Sequence, residues 1–96
     1  MPLAADSVVR RRPGVLATEI PGGYLTLEMT RYACLSFTGS AGRIWELLEA
    51  PIPVAALCGR LRREYRVDEQ TCLAETLAHL DRLHAAGVLE VVDDVA

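Results

Sequence analysis

Between Gly22 and Leu48 the chain carries two alternating runs, Gly-Tyr-Leu-Thr-Leu-Glu-Met and Ala-Cys-Leu-Ser-Phe, and then passes directly into a segment holding its only tryptophan, Trp45. In the first run Tyr24, Thr26 and Glu28 share one face and Leu25, Leu27 and Met29 the other, the period of two of a strand in a sheet with one buried face. A short sheet therefore precedes every helix. So small a sheet has edges, and Ala33 to Phe37 is its last strand. The outer N–H and C=O groups of that strand are free unless another element covers them. Some proteins bind peptides on such an edge.

The flanking sequence extends this pattern in both directions. Val15 to Ile20 reads as a first strand, joined to the second through Pro21-Gly22-Gly23, where glycine accepts positive φ without penalty. Thr30, Arg31 and Tyr32 make the next turn without glycine or asparagine. Thr38 or Ser40 is placed to cap a first helix whose apolar residues Ala41, Ile44, Trp45, Leu47 and Leu48 form one face before Pro51 stops it. A second helix opens at Pro53 and sets Val54, Leu57, Leu61 and Tyr65 inward, leaving Arg60, Arg62, Arg63 and Glu64 outward. Asp68 is the expected N-cap of a third helix about five turns, or roughly 27 Å, long. Its inward stripe is Leu73, Leu77, Leu80 and either Leu83 or His84, and Gly87 closes it. Val88 to Val92 adds a short strand.

The expected fold is α+β and winged helix-turn-helix-like, an N-terminal three-stranded antiparallel sheet followed by three helices. The expected organisation is a flexible N-terminal segment over 1–13, a folded domain over 14–92 and an acidic tail over 93–96. With 96 residues the chain makes one domain. A domain of this size buries roughly 60 to 65% of the surface of its unfolded chain, enough for one modest core.

Charge and cysteine usage narrow the function classes. All ten basic residues are arginine and the formal charge is −3, a balance that disfavours a general nucleic-acid binder. The cluster Arg60, Arg62, Arg63 and Arg66 is the best argument for DNA, yet the longest helix, the natural groove reader, carries Asp68, Glu69, Glu75 and Asp81 against Arg82 alone. A solvated helix face explains those arginines. No apolar run approaches the roughly 18 to 20 residues that span a bilayer, and Arg10-Arg11-Arg12 follows the apolar start where a secretory signal would place charge first. Cys34, Cys58 and Cys72 form an odd set with no Cys-x-x-Cys spacing, so a reduced, cytoplasmic protein is expected.

The same cysteines invite a catalytic or zinc reading together with His79 and His84. Their spacings do not support one, because five residues place the two imidazoles about 140° apart on a helix. The cysteines are read instead as small buried hydrophobes. Gly-Ser-Ala-Gly at 39–42 lacks the Lys-Ser or Lys-Thr of a phosphate loop and is better explained as a helix-capping turn. Trp45, beside Ile44 and Leu48, suits the core where sheet and helices meet. No metal, cofactor or bond-making residue is expected.

The run Leu27-Glu28-Met29, Ala33-Cys34-Leu35-Ser36-Phe37-Thr38, Gly42-Arg43-Ile44-Trp45-Glu46-Leu47-Leu48, then Pro53-Val54 through Leu61 and Tyr65, and finally Leu80, Leu83, Ala86, Gly87 and Val88 resembles the PqqD-like family. Its members are leader-binding domains called RiPP recognition elements. The likeness covers about residues 14–92, and the order and spacing of its pieces carry it. Phe37-Thr38 stands where Leu-Asn is usual, and Glu28 where Asp is common. The Ile-Trp-x-Leu-Leu helix and the stand-alone length look most like the small proteins of lasso-peptide gene clusters, which deliver a leader to a separate peptidase. The nearer alternative within the family is the PqqD-type chaperone of a radical SAM enzyme.

The resemblance implies a non-catalytic module that captures a precursor leader by strand addition in the groove between the third strand and third helix. The matching positions are Cys34, Leu35, Ser36 and Phe37 on the strand and Leu73, Thr76, Leu77 and Leu80 on the helix, with Arg31, Tyr32 and Asp81 framing the groove. The implied partners are the leader peptide and a leader peptidase or other modifying enzyme. No membrane is implied, and the protein is expected to be a monomer or a weak dimer through strand edges. From another class, a winged-helix DNA-binding regulator is the runner-up.

Overall fold

A computed structural model describes residues 3–92. In chain order the elements are β1 (Val8–Arg11), β2 (Leu16–Ile20), β3 (Gly23–Glu28), β4 (Ala33–Thr38), α1 (Ser40–Leu47), β5 (Ile52–Pro53), α2 (Val54–Glu64), α3 (Glu69–Ala85) and β6 (Leu89–Val92). The three strands expected before the helices form one antiparallel sheet in the order β2-β3-β4. Its register pairs Leu16 with Leu27 and Leu27 with Cys34. Gly23 is required where it stands, since a Cβ there would meet the Phe37 carbonyl oxygen at 1.7 Å. The three helices follow, as the α+β reading expects. The acidic tail expected at 93–96 lies outside the described residues.

The segment expected to be a flexible lead-in instead supplies a strand. β1 pairs with β6 and β5 in a second antiparallel sheet, β5-β1-β6. Two of its arginines find partners: Arg10 pairs across the ladder with Glu90 at 2.5 Å, while Arg11 lies over the Trp45 ring at 4.7 Å and donates its Nε–H to the Trp45 carbonyl. Val9 between them is fully buried. Further upstream, the Ala5 and Ser7 carbonyls accept from the Ala55 and Val54 N–H groups, both at 2.9 Å. Those are the orphan donors at the start of α2, whose N-cap Pro53 has no side chain to serve them.

Helix boundaries follow local chemistry, with two corrections. Asp68 caps α3 by accepting from the Thr71 N–H at 3.1 Å. At the other end Gly87, at φ 83, and Val88 return their N–H groups to the His84 and Leu83 carbonyls, the paired bonds of a Schellman stop. Neither Thr38 nor Ser40 caps α1, because its N-cap is Gly39, which makes no side-chain bond. Tyr65, expected inward, is the C-cap of α2, and its extended backbone at φ −128 leaves the ring 42% exposed.

The core sits where the two sheets and the helices converge, around Trp45, Leu48, Leu57, Leu80, Leu89, Val9, Val54 and Val88. Trp45 belongs to it, as its neighbours led one to expect. The β2-β3-β4 sheet, however, buries Thr26 and Glu28 while leaving Leu16, Leu25 and Met29 exposed. Hydropathy alone would bury the leucines. The buried polar pair is satisfied, since Thr26 Oγ1 donates to the Leu35 carbonyl and Glu28 accepts from the Arg31 N–H at 2.7 Å.

Candidate functional site

The outer edge of β4 is the first component of the site. Gly39 donates its N–H to the Gly22 carbonyl, continuing the β3–β4 register, so the hydrogen-bonded pairs are Tyr24–Phe37, Thr26–Leu35 and Glu28–Ala33. By the alternation of an antiparallel ladder, the main-chain groups of Cys34, Ser36 and Thr38 point away from the sheet. No other strand pairs with β4 among the described residues.

The second component is a groove of about 520 Å³ among the three helices, lined by Ser40, Ala41 and Ile44 of α1, Leu61 and Tyr65 at the end of α2, Val67, and Cys72, Glu75, Thr76, Ala78, His79 and Arg82 of α3. Its floor is apolar, and Glu75 and Arg82 bring charge to it. Phe37 joins strand to groove. Its ring stacks on Trp45 at 5.4 Å and meets His79 edge-on at 6.0 Å.

His79 is the least settled polar group here. Its Nε2 is buried and has no hydrogen-bond partner among the described residues. Loss of solvent, aided by the nearby Arg82 charge, holds its pKa below the usual imidazole value, so the ring is kept neutral. Cys72 Sγ lies 3.9 Å from both the Cys58 carbonyl and Thr76 Oγ1, and burial raises the Cys58 thiol pKa. These two cysteines are buried as expected. Cys34 departs from that reading, because it is exposed on the outer face of the sheet. Among the described residues no three His, Cys, Asp or Glu side chains converge as a metal site.

A clasp closes one end of the edge. Glu28 holds the glycine-free turn by accepting from the Arg31 N–H, and Arg31 Nη1 donates to the Ala85 carbonyl at 2.5 Å. That turn sets Tyr32 at φ 53, a left-handed conformation costing roughly 1–2 kcal/mol for a bulky residue. The Arg31 N–H holds the Glu28 carboxyl below its ordinary pKa. At the far end, Arg43 donates to both Glu64 oxygens and to Glu46, and Glu46 accepts from Tyr24 Oη at 2.5 Å. This network ties α1 to α2 and to β3.

The residues singled out from sequence occupy different places. Cys34 and Ser36 are exposed on the outer face, Leu35 is half-buried and Phe37 is buried on the inner one. On α3, Thr76 lines the groove, whereas Leu80 is wholly in the core. Leu73 and Leu77 pack against that core as half-buried residues and lie about 120° and 160° around the helix from His79. Arg31 sits in the clasp, Tyr32 is 79% exposed and Asp81 is exposed. Glu75, His79 and Arg82, missed from sequence, form a second i, i+3/i+4 series beside the leucines.

Known proteins were compared with this geometry in hand. The family model described as "Coenzyme PQQ synthesis protein D (PqqD)" matches residues 23–89, well over half the chain and the stretch from β3 into the start of β6. No curated protein and no solved structure matches.

Proposed function

We propose that this chain, which belongs to the PqqD family of RiPP recognition elements, captures the leader of a ribosomal precursor peptide as an added strand on β4 and delivers it to a processing enzyme. The family is one of non-catalytic recognition proteins that bind precursor peptides and work with enzymes. The observation that carries the proposal is a strand edge left unpaired among the described residues, whose Phe37 packs against His79 of the groove wall. Main-chain bonds from Cys34 and Ser36 give affinity, and the groove selects side chains. Leu35 and Phe37 back the strand, Thr76 lines the groove floor, and Arg31 and Tyr32 frame the peptide's path, while Asp81, about 160° around α3 from His79, lies off it. Leu73, Leu77 and Leu80 support α3 from behind. The processing enzyme is a lasso-peptide leader peptidase and the setting is the cytoplasm. No helix among the described residues is long and apolar enough to cross a membrane.

A PqqD-type chaperone for a radical SAM enzyme is the second reading, favoured by the description of the matching family model. Both readings use the same edge. A DNA regulator fits less well, since exposed Glu69, Glu75 and Asp81 line α3.

The test is fluorescence anisotropy of a labelled leader peptide, taken from the precursor gene beside this one, titrated with the wild-type chain. The expected result is saturable binding at micromolar concentration, lost in Ser36→Pro. Absence of binding by the folded wild-type chain defeats the proposal. A neighbouring transglutaminase-like peptidase gene supports the first reading and a radical SAM gene the second.

A further inference from the structure

The outer face of the β2-β3-β4 sheet takes no part in the groove. Register places three rows on it: Leu16, Leu27 and Cys34, then Thr18, Leu25 and Ser36, then Ile20, Gly23 and Thr38. None carries an acidic or basic side chain. Yet the face is open to solvent, with Leu16 58% and Leu25 37% exposed and Met29, at the end of β3, 51% exposed. In a chain that is 24% charged, a contiguous uncharged face of this kind marks an interaction surface.

We propose that this face is a self-association surface on which a second copy of the chain stacks, sheet against sheet. Charge argues for that occupant. A chain of formal charge −3 repels its copies wherever acidic surfaces meet, and here there is no charge to oppose contact or to attract a charged ligand. Geometry agrees, because a flat face of branched side chains suits another sheet about 10 Å away. A two-fold contact needs only a self-compatible patch. The peptide uses the outward main-chain groups of β4 and the groove whereas stacking uses outer-face side chains, so stacking leaves both β4 edges free.

Area sets the strength. Three strands spaced about 4.8 Å apart and five to six residues long offer on the order of 400–500 Å² of accessible surface per copy. Two copies bury roughly 800–1,000 Å², below the approximately 1,200 Å² of stable complexes. The dimer is therefore weak and reversible.

Sedimentation equilibrium of the full chain, with a thiol reductant present to exclude a Cys34 disulfide, tests this between about 10 µM and about 1 mM, the range of weak contacts. The weight-average mass is expected to climb from the 10.5 kDa chain mass towards twice that value, with no weakening in high salt. Leu25→Glu, at the centre of the face, is expected to raise the dimer dissociation constant at least tenfold, while its unchanged circular dichroism shows the fold intact. Leu16→Glu, on the exposed stretch of β2, provides an independent variant. The edge variant Glu19→Pro, whose side chain lies on the opposite face of the sheet, is expected to dimerise like wild type. A monomer throughout the range overturns the proposal. So does a dimer kept in both Leu25→Glu and Leu16→Glu, which places the contact away from this face. Neither result bears on leader binding, which is measured separately.

Discussion

Among the described residues the β2-β3-β4 sheet has two free edges, and only one of them is backed. β2 projects from the body, with Leu16, Ala17, Thr18 and Glu19 all exposed although they alternate between faces. β4 presents the same kind of main-chain row, but Phe37 behind it is buried against Trp45 and His79 and a groove opens alongside. The lesson is that an edge alone is a liability. It becomes a receptor when a packed helix supplies a second wall, so that a strand added there gains side-chain contacts together with main-chain bonds.

The largest expected effect probes that backing. Phe37→Ala deletes a buried ring and is expected to cost about 3–5 kcal/mol of stability, whereas Leu16→Ala on β2 changes it by less than about 0.5 kcal/mol. Urea unfolding of both variants measures the contrast, and equal losses would break it. The next effect separates the edges in binding. Ser36→Pro removes an outward N–H from β4 without touching the β3 ladder, a position where an edge strand tolerates proline. Loss of one or two main-chain bonds, each worth about 0.5–1.5 kcal/mol, with a ring set against the incoming strand, predicts at least tenfold weaker leader binding by anisotropy. Glu19→Pro does the same to an outward N–H of β2 and should leave binding unchanged. Weakening in Glu19→Pro but not in Ser36→Pro would move the receptor to the wrong edge.

Much of this was legible because local chemistry and global fold agree in the middle of the chain. Alternation located β3 and β4, Asp68 and Gly87 bracketed α3, and the neighbours of Trp45 placed it in the core. What stayed hidden depends on partners far away in sequence. Val8–Arg11 reads as polar lead-in until Glu90 and the Trp45 ring take up its arginines. Period two separates the faces of β3 but cannot say which is inside, and the answer rests on hydrogen bonds to Thr26 and Glu28. The leucine series of α3 marks its core side. The groove belongs to the flank carrying Glu75, His79 and Arg82, which only the placement of Phe37 brings opposite β4.

The smallest effect uses that flank to distinguish the backed edge by pH. His79 is half-buried between Phe37 and the groove, shares it with Glu75, Tyr65 and Arg82, and has its pKa lowered by desolvation and then by Arg82. Its folded form therefore binds a proton less readily than its unfolded form, whose pKa is about 6.5. Between the two values the unfolded state holds more protons, so stability is fully present above about pH 6.5 and declines as pH falls towards the folded pKa. A peptide over the groove removes more water from the ring and deepens the shift, so protonation opposes binding as well. Leader affinity is expected to fall about threefold from pH 7 to pH 5. His79→Gln, neutral at both values, should flatten that difference. A profile equally steep in His79→Gln would assign the titration to the peptide and leave the groove-facing imidazole a packing group.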